Sequence, residues 1–286
     1  MKQIKLLLLL ASASVTGALA QSNGLTDMSQ SRFAKMANTG ISAVHWTDGF
    51  WGDRFQVFSR TSLQSMWNTW NTPEISHGFR NFEIAAGVCK GEHWGPPFHD
   101  GDMYKWMEGV ASVYAVNKDP ELDKLMDNFI ACVVKAQRAD GYIHTPVIIE
   151  ELNKGIDSHT QADSQQQTVI GTKVGSEDEK GAFANRLNFE TYNLGHLMMA
   201  GLVHHRATGK TTLLDAAVKA TDFLCHFYET ASAELARNAI CPSHYMGVVE
   251  MYRATGNPRY LELSKNLIDI RGMVEIGTDD NQDRIP

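Results

Sequence analysis

The sequence predicts an all-α fold in which helical hairpins curl about a common axis. Three observations carry this. Helical patterns run up to and away from turns at Asn117-Lys118-Asp119-Pro120, Thr208-Gly209-Lys210 and Thr255-Gly256-Asn257-Pro258, a repeat of roughly 45–50 residues. In each hairpin the first helix carries rings, imidazoles and acids, whereas the second (ELDKLMDNFIACVV, LLDAAVKATDFL, YLELSKNLI) is conventionally amphipathic. No run of alternating β-branched residues is long enough to suggest a sheet.

An open solenoid would show leucine-alanine seams on its first helices. Here Gly109, Gly195 and Gly247 interrupt them instead, each at about 1 kcal/mol against alanine unless close approach requires it. Helices crowded around an axis require it, so a toroid is predicted rather than a solenoid.

The first 20 residues read as a secretory signal peptide. Lys2 and Lys5 precede the apolar run Leu6–Leu10, and Ala18-Leu19-Ala20 supplies a cleavage site. The expected location is periplasmic or secreted, with a mature start near Gln21. The apolar run is too short to span a bilayer and no later stretch approaches 18 uninterrupted apolar residues, so no membrane partner is expected after cleavage. A net charge of −7 argues against nucleic acid and favours a neutral polar ligand. Four cysteines (Cys89, Cys132, Cys225, Cys241) follow no metal-binding spacing and read as buried free thiols.

Taken in order, residues 21–44 form an irregular leader and residues 45–286 the main domain. The knot His45-Trp46-Thr47-Asp48-Gly49-Phe50-Trp51 reads as a strap, with a sugar-stacking platform as the alternative. Helices are predicted over Arg54–Thr69 and Asn81–Val88, and an irregular loop over Cys89–Gly101. In HDGDMYKWMEG, Asp102, Trp106 and Gly109 share a helix face, with Asp100 just upstream as N-cap or loop ligand. Residues 153–182 are Gln-, Ser- and Gly-rich and read as an exposed insertion, or as a lid. In the central helix Phe189, Tyr192, His196 and Met199 fall along one face. His204-His205 is expected at the surface near the helix end, Glu250 as a buried hydrogen-bond anchor, and Glu190 as a helix cap or in a structural pair. Asp279–Asp283 reads as an acidic loop lacking calcium-loop spacing.

The segments HDGDMYKWMEG, AQRADGYIHT, FETYNLGHLMMA, HHRATGKTTLLD and PSHYMGVVEMYRATGNPRYLELSKNLIDIRG resemble, in order, the N-terminal half of glycoside hydrolase family 127. The resemblance runs from about His45 to the end. It implies an (α/α)6 barrel acting on β-L-arabinofuranosides, here an incomplete toroid, since about eight helices can be counted where twelve close the ring. It implies a carbohydrate substrate, with Asp100, Asp102, Trp106, Tyr142, His196 and His244 lining the sugar site, and Tyr192 joins them as a substrate-binding candidate from its place on the His196 face. Where many members carry a histidine seven residues before the GHL histidine, this chain has Phe189. The family's acid/base glutamate, its Glu-x-Cys zinc ligands and its nucleophilic Cys-Cys pair are expected beyond the segment DDNQDRIP. On that basis no catalytic residue and no cofactor is expected within the chain, zinc belonging to a full-length relative. The alternatives are a non-catalytic carbohydrate-binding remnant, or another toroid glycosidase or polysaccharide lyase.

Overall fold

A computed structural model describes residues 24–29, 31–155, 168, 171, 182–236 and 243–272. The expected signal peptide, most of the 153–182 insertion, Cys241 and the acidic loop Asp279–Asp283 lie outside the described residues. Among the described residues every regular element is helical. These are α1 (Gly49–Val57), a π-turn (Phe58–Ser62), α2 (Leu63–Trp70), α3 (Gly78–Ala85), α4 (His99–Asn117), α5 (Pro120–Ala136) and α6 (Thr145–Asn153). Then come a 3₁₀ turn (Arg186–Asn188), α7 (Glu190–Thr208), α8 (Thr212–Thr230), α9 (Ala233–Ala236), α10 (His244–Thr255) and α11 (Pro258–Gly272).

The three turns do what their residues dictate. Lys118 ends α4 in a left-handed conformation (φ 54°), Asp119 accepts from the Glu121 amide at 2.9 Å, and Pro120 opens α5. Gly209 and Gly256 end α7 and α10 at φ 79° and 70°. Two rows of helices result. α4, α7 and α10 pack side by side as one row, while α5, α8 and α11 back them as the other, with α2 and α3 extending the arrangement beyond α4. This is the arc of an α/α toroid.

The row positions explain the glycines. A Cβ on Gly195 would lie 2.4 Å from the His244 backbone nitrogen, and one on Gly247 2.9 Å from the Gly195 carbonyl oxygen. α7 and α10 therefore cross backbone to backbone. Gly109 differs: its Cβ would meet Phe58 at an ordinary 3.5 Å.

Several expectations are corrected. The first helical run starts at Gly49, and the loop after Cys89 gives way to helix at His99. α6, within TPVIIEELN, was not anticipated. Phe189 stands outside α7 as its left-handed N-cap (φ 58°), so the shared face begins at Tyr192. His204 is fully buried rather than superficial, because α7 is flanked by α4, α8 and α10 and is wrapped even in its last turn. Of the aromatic knot, Trp46, Phe50 and Trp51 remain about half or more exposed. Glu250 is the anchor foreseen. It is 2% exposed, accepts from the Asp27 amide at 2.9 Å and from Arg206 at 3.3 Å, and pairs with Arg253. Arg206 also donates to the Leu25 carbonyl, so this centre ties residues 25–27 to α7 and α10. Cys89, Cys132 and Cys225 are free thiols, Cys225 buried and the other two half-buried.

Candidate functional site

Two layers of polar residues lie where α4 packs along α7. The deeper layer is a closed network. Both oxygens of buried Asp100 are taken by Thr145, whose amide donates at 2.7 Å and whose hydroxyl donates at 2.6 Å. Asn193 accepts from the Gly101 amide at 2.8 Å and donates to the Pro97 carbonyl at 2.9 Å, which fixes the orientation of its amide. Its remaining N–H faces His144 Nδ1 at 3.3 Å, and Asp100 Oδ2 lies 3.5 Å from the same nitrogen, which leaves the other ring nitrogen, Nε2. That Nε2 is sealed from solvent and has no partner among the described residues. An orphaned buried polar atom costs roughly 1–3 kcal/mol unless something meets it, so a ligand or water reaching His144 Nε2 would be stabilised there. Alongside, buried Glu190 accepts from the Tyr142 hydroxyl at 2.6 Å and the Phe183 amide at 2.7 Å. Burial pushes the Glu190 carboxyl up from its ordinary value and the Tyr142 phenol well above its own.

The upper layer is accessible. Lys105 of α4 pairs with Asp102 at 2.7 Å and donates to the Tyr192 hydroxyl of α7 at 2.6 Å. The Tyr192 ring meets the His196 ring edge to face, with centroids 4.6 Å apart, and His196 Nδ1 lies 3.9 Å from Glu108 Oε1 on α4. A cavity of about 470 Å³ opens beside this stripe, lined by Asp102, Lys105, Trp106, Gly109 and side chains of the α2 run. That volume suits a small ligand. A second cavity of about 630 Å³ lies behind α4 against residues 25–58; it is apolar and lined by no titratable side chain.

The predicted site residues thus divide. Asp102, Tyr192 and His196 line the accessible stripe. Asp100 and Tyr142 sit beneath it with their polar atoms already bonded. Trp106 is 2% exposed, stacks on Trp67 and donates its indole N–H to the Leu63 carbonyl at 3.3 Å, forming cavity floor and core together. His244 is buried at the α7–α10 crossing, parallel to the Tyr228 ring and 3.3 Å from its hydroxyl. Sequence reasoning passed over Lys105, Glu108, His144 and Asn193. The face that suggested Asp102 and Trp106 also holds Lys105 and Gly109, so Lys105 was within reach. His144 was not, since its partners come from α4 and α7.

Comparison with known proteins decides the family. The β-L-arabinofuranosidase GH127 catalytic domain matches residues 43–286. The chain belongs to glycoside hydrolase family 127. A non-reducing end β-L-arabinofuranosidase of Bifidobacterium longum subsp. longum is 32% identical over 197 residues, covering 69% of this chain and 27% of the relative. A solved glycoside hydrolase structure is 70% identical with a TM-score of 0.64, covering 93% of this chain and 32% of its own. A GH127 β-L-arabinofuranosidase from Geobacillus stearothermophilus T6 is 29% identical with a TM-score of 0.62, covering 80% and 33%. The chain therefore spans about a third or less of the length of these relatives. Family 127 also supplies the fold expectation, and the helical arc agrees with its α/α toroid neighbours.

The resemblance implies zinc in a full-length relative. Among the described residues no group of three or more His, Cys, Asp or Glu side chains is placed to hold a metal ion. Cys89 follows α3 in sequence, Cys132 is on α5 and Cys225 on α8, none of them on α4 or α7. These residues do not fit a zinc site.

Proposed function

We propose that this chain contributes the sugar-binding wall of a secreted or periplasmic glycoside hydrolase acting on β-L-arabinofuranosides of plant polysaccharides or glycoproteins. The observation that carries this reading is the stripe Asp102, Lys105, Glu108, Tyr192 and His196 beside a cavity of monosaccharide size, in a chain of this family. A neutral sugar presents hydroxyls that donate and accept; the stripe offers carboxylates, a phenol and an imidazole to meet them. The buried network beneath holds that wall in register. Asp100 ties α4 to the start of α6, and Asn193 ties α7 to the chain entering α4. His144 Nε2 is a buried ring nitrogen of this layer with no partner among the described residues, placed to meet a ligand or an ordered water. Protonation of the leaving oxygen and attack at the anomeric carbon are assigned to the family's glutamate and thiolate, which the resemblance sets beyond Pro286. Export is expected from the signal-like residues 1–20; among the described residues no helix is long and apolar enough to cross a membrane.

The test is ligand-observed NMR of the chain with methyl β-L-arabinofuranoside, using methyl β-D-glucopyranoside as the comparison. Binding of the arabinofuranoside that is weakened in His196→Ala and His144→Ala supports the reading. Equal binding of both sugars, or indifference to both substitutions, overturns it.

A further inference from the structure

Glu108 and His196 face each other across the α4–α7 seam, and each has something left over. Glu108 Oε1 is sealed from solvent with no hydrogen-bond partner among the described residues. His196 Nδ1 is 3.9 Å away, about 1 Å beyond a charge-assisted N–H···O contact. A small rotation of the carboxylate, or one bridging water, joins them. The imidazole is confined: its side chain is 13% exposed and lies edge to face with Tyr192, which Lys105 and Asp102 hold in turn.

We infer that Glu108 is a positioning residue for His196, its carboxylate keeping the imidazole proton on Nδ1 and leaving Nε2 as a hydrogen-bond acceptor. A carboxylate can only accept, so a ring nitrogen turned towards it carries the hydrogen. An accepting Nε2 on His196 suits a hydroxyl-rich ligand, because each hydroxyl has one hydrogen to give. This deepens the sugar-binding reading and rests on it for the identity of the ligand, but not for the tautomer.

The tautomer is read on the ligand-free, ¹⁵N-labelled full chain by long-range ¹H–¹⁵N NMR at pH 8, with His196→Gln assigning the signals. The expected pattern is a protonated Nδ1 and an unprotonated Nε2. Glu108→Leu removes the acceptor and moves the proton to Nε2, whereas Glu108→Gln keeps a carbonyl acceptor and the original pattern. Methyl β-L-arabinofuranoside binding falls about tenfold in Glu108→Leu, the loss of one hydrogen bond. A wild-type ring protonated on Nε2 or on both nitrogens, or a Glu108→Leu pattern identical to wild type, overturns the inference. If Glu108→Leu loses its helical circular dichroism, the wild-type and Glu108→Gln spectra decide alone. Absent sugar binding with the expected tautomer removes the functional proposal and leaves this one standing.

Discussion

Replacing Gly195 with alanine probes the crossing on which the arc depends. The added Cβ would lie 2.4 Å from the His244 nitrogen, 2.5 Å from the Ser243 carbonyl carbon and 2.7 Å from the His244 Cα. All three are backbone atoms at the start of α10, so no side chain can swing aside. Ordinary contact requires α7 and α10 to separate by about 1 Å at that point, in a core packed like an organic crystal. Overpacking of this kind costs about 1–3 kcal/mol, and rigid backbone neighbours place it near the top of that range. Alanine returns about 1 kcal/mol of helix propensity. The net expectation is a loss of about 2 kcal/mol, or about 4–8 °C in Tm for a chain of this size. Gly109→Ala is the matched control: its Cβ meets Phe58 at 3.5 Å, so it keeps the propensity gain and stabilises by up to about 1 kcal/mol. Urea denaturation followed by far-UV circular dichroism compares the two. Equal stabilities for both variants would show that α7 and α10 do not cross at Gly195, and the toroidal arrangement would go with it.

Three further outcomes follow from the buried polar groups. Burial holds His204 down to about 4 from an ordinary 6.5, so the unfolded chain takes up a proton that the folded chain refuses. Stability then falls as pH drops from about 6.5 to 4, by on the order of 3 kcal/mol in all; His204→Leu flattens the slope of denaturation midpoint against pH, leaving the share of His93, which burial also holds at about 4. Tyr142→Phe takes one of two donors from buried Glu190 and costs roughly 1–3 kcal/mol in urea denaturation; unchanged arabinofuranoside binding is expected with it, and a selective binding defect would mean that Tyr142 touches the sugar. Glu250→Ala strands Arg206, whose side chain is 4% exposed, at a cost of about 3–5 kcal/mol. It also removes the carboxylate that holds the Asp27 amide to α10, leaving the Arg206–Leu25 bond in place, so limited proteolysis should cut the leader sooner than in wild type, and equal cleavage rates would count against the anchor.

What the sequence could disclose was set by how far each signal travels along the chain. Lys118-Asp119-Pro120, Gly209 and Gly256 act within one turn of themselves, and the hairpins followed from them. Gly195 and Gly247 disclosed a crossing because glycine inside a helix needs a reason, and nearby backbone supplies it. Gly109 carried the same signal without that cause. α7 itself was hardest to read. It is buried on nearly every side, so its polar residues mark no solvent face: Glu190, Asn193 and His204 are as hidden as Leu197. Periodicity separates inside from outside only where an outside exists. That is why His204 was expected at the surface, and why His196 was singled out through the family resemblance and Tyr192 through its place on the same ring-bearing face. The site's second imidazole follows the same logic. His144 sits at the start of a helix with no polar periodicity, and its meaning comes from Asn193 and Asp100, 49 and 44 positions away. Local grammar fixes where a chain bends; which buried polar atom is left unpaired depends on three helices meeting at once, and that is where the ligand-ready groups of this fold lie.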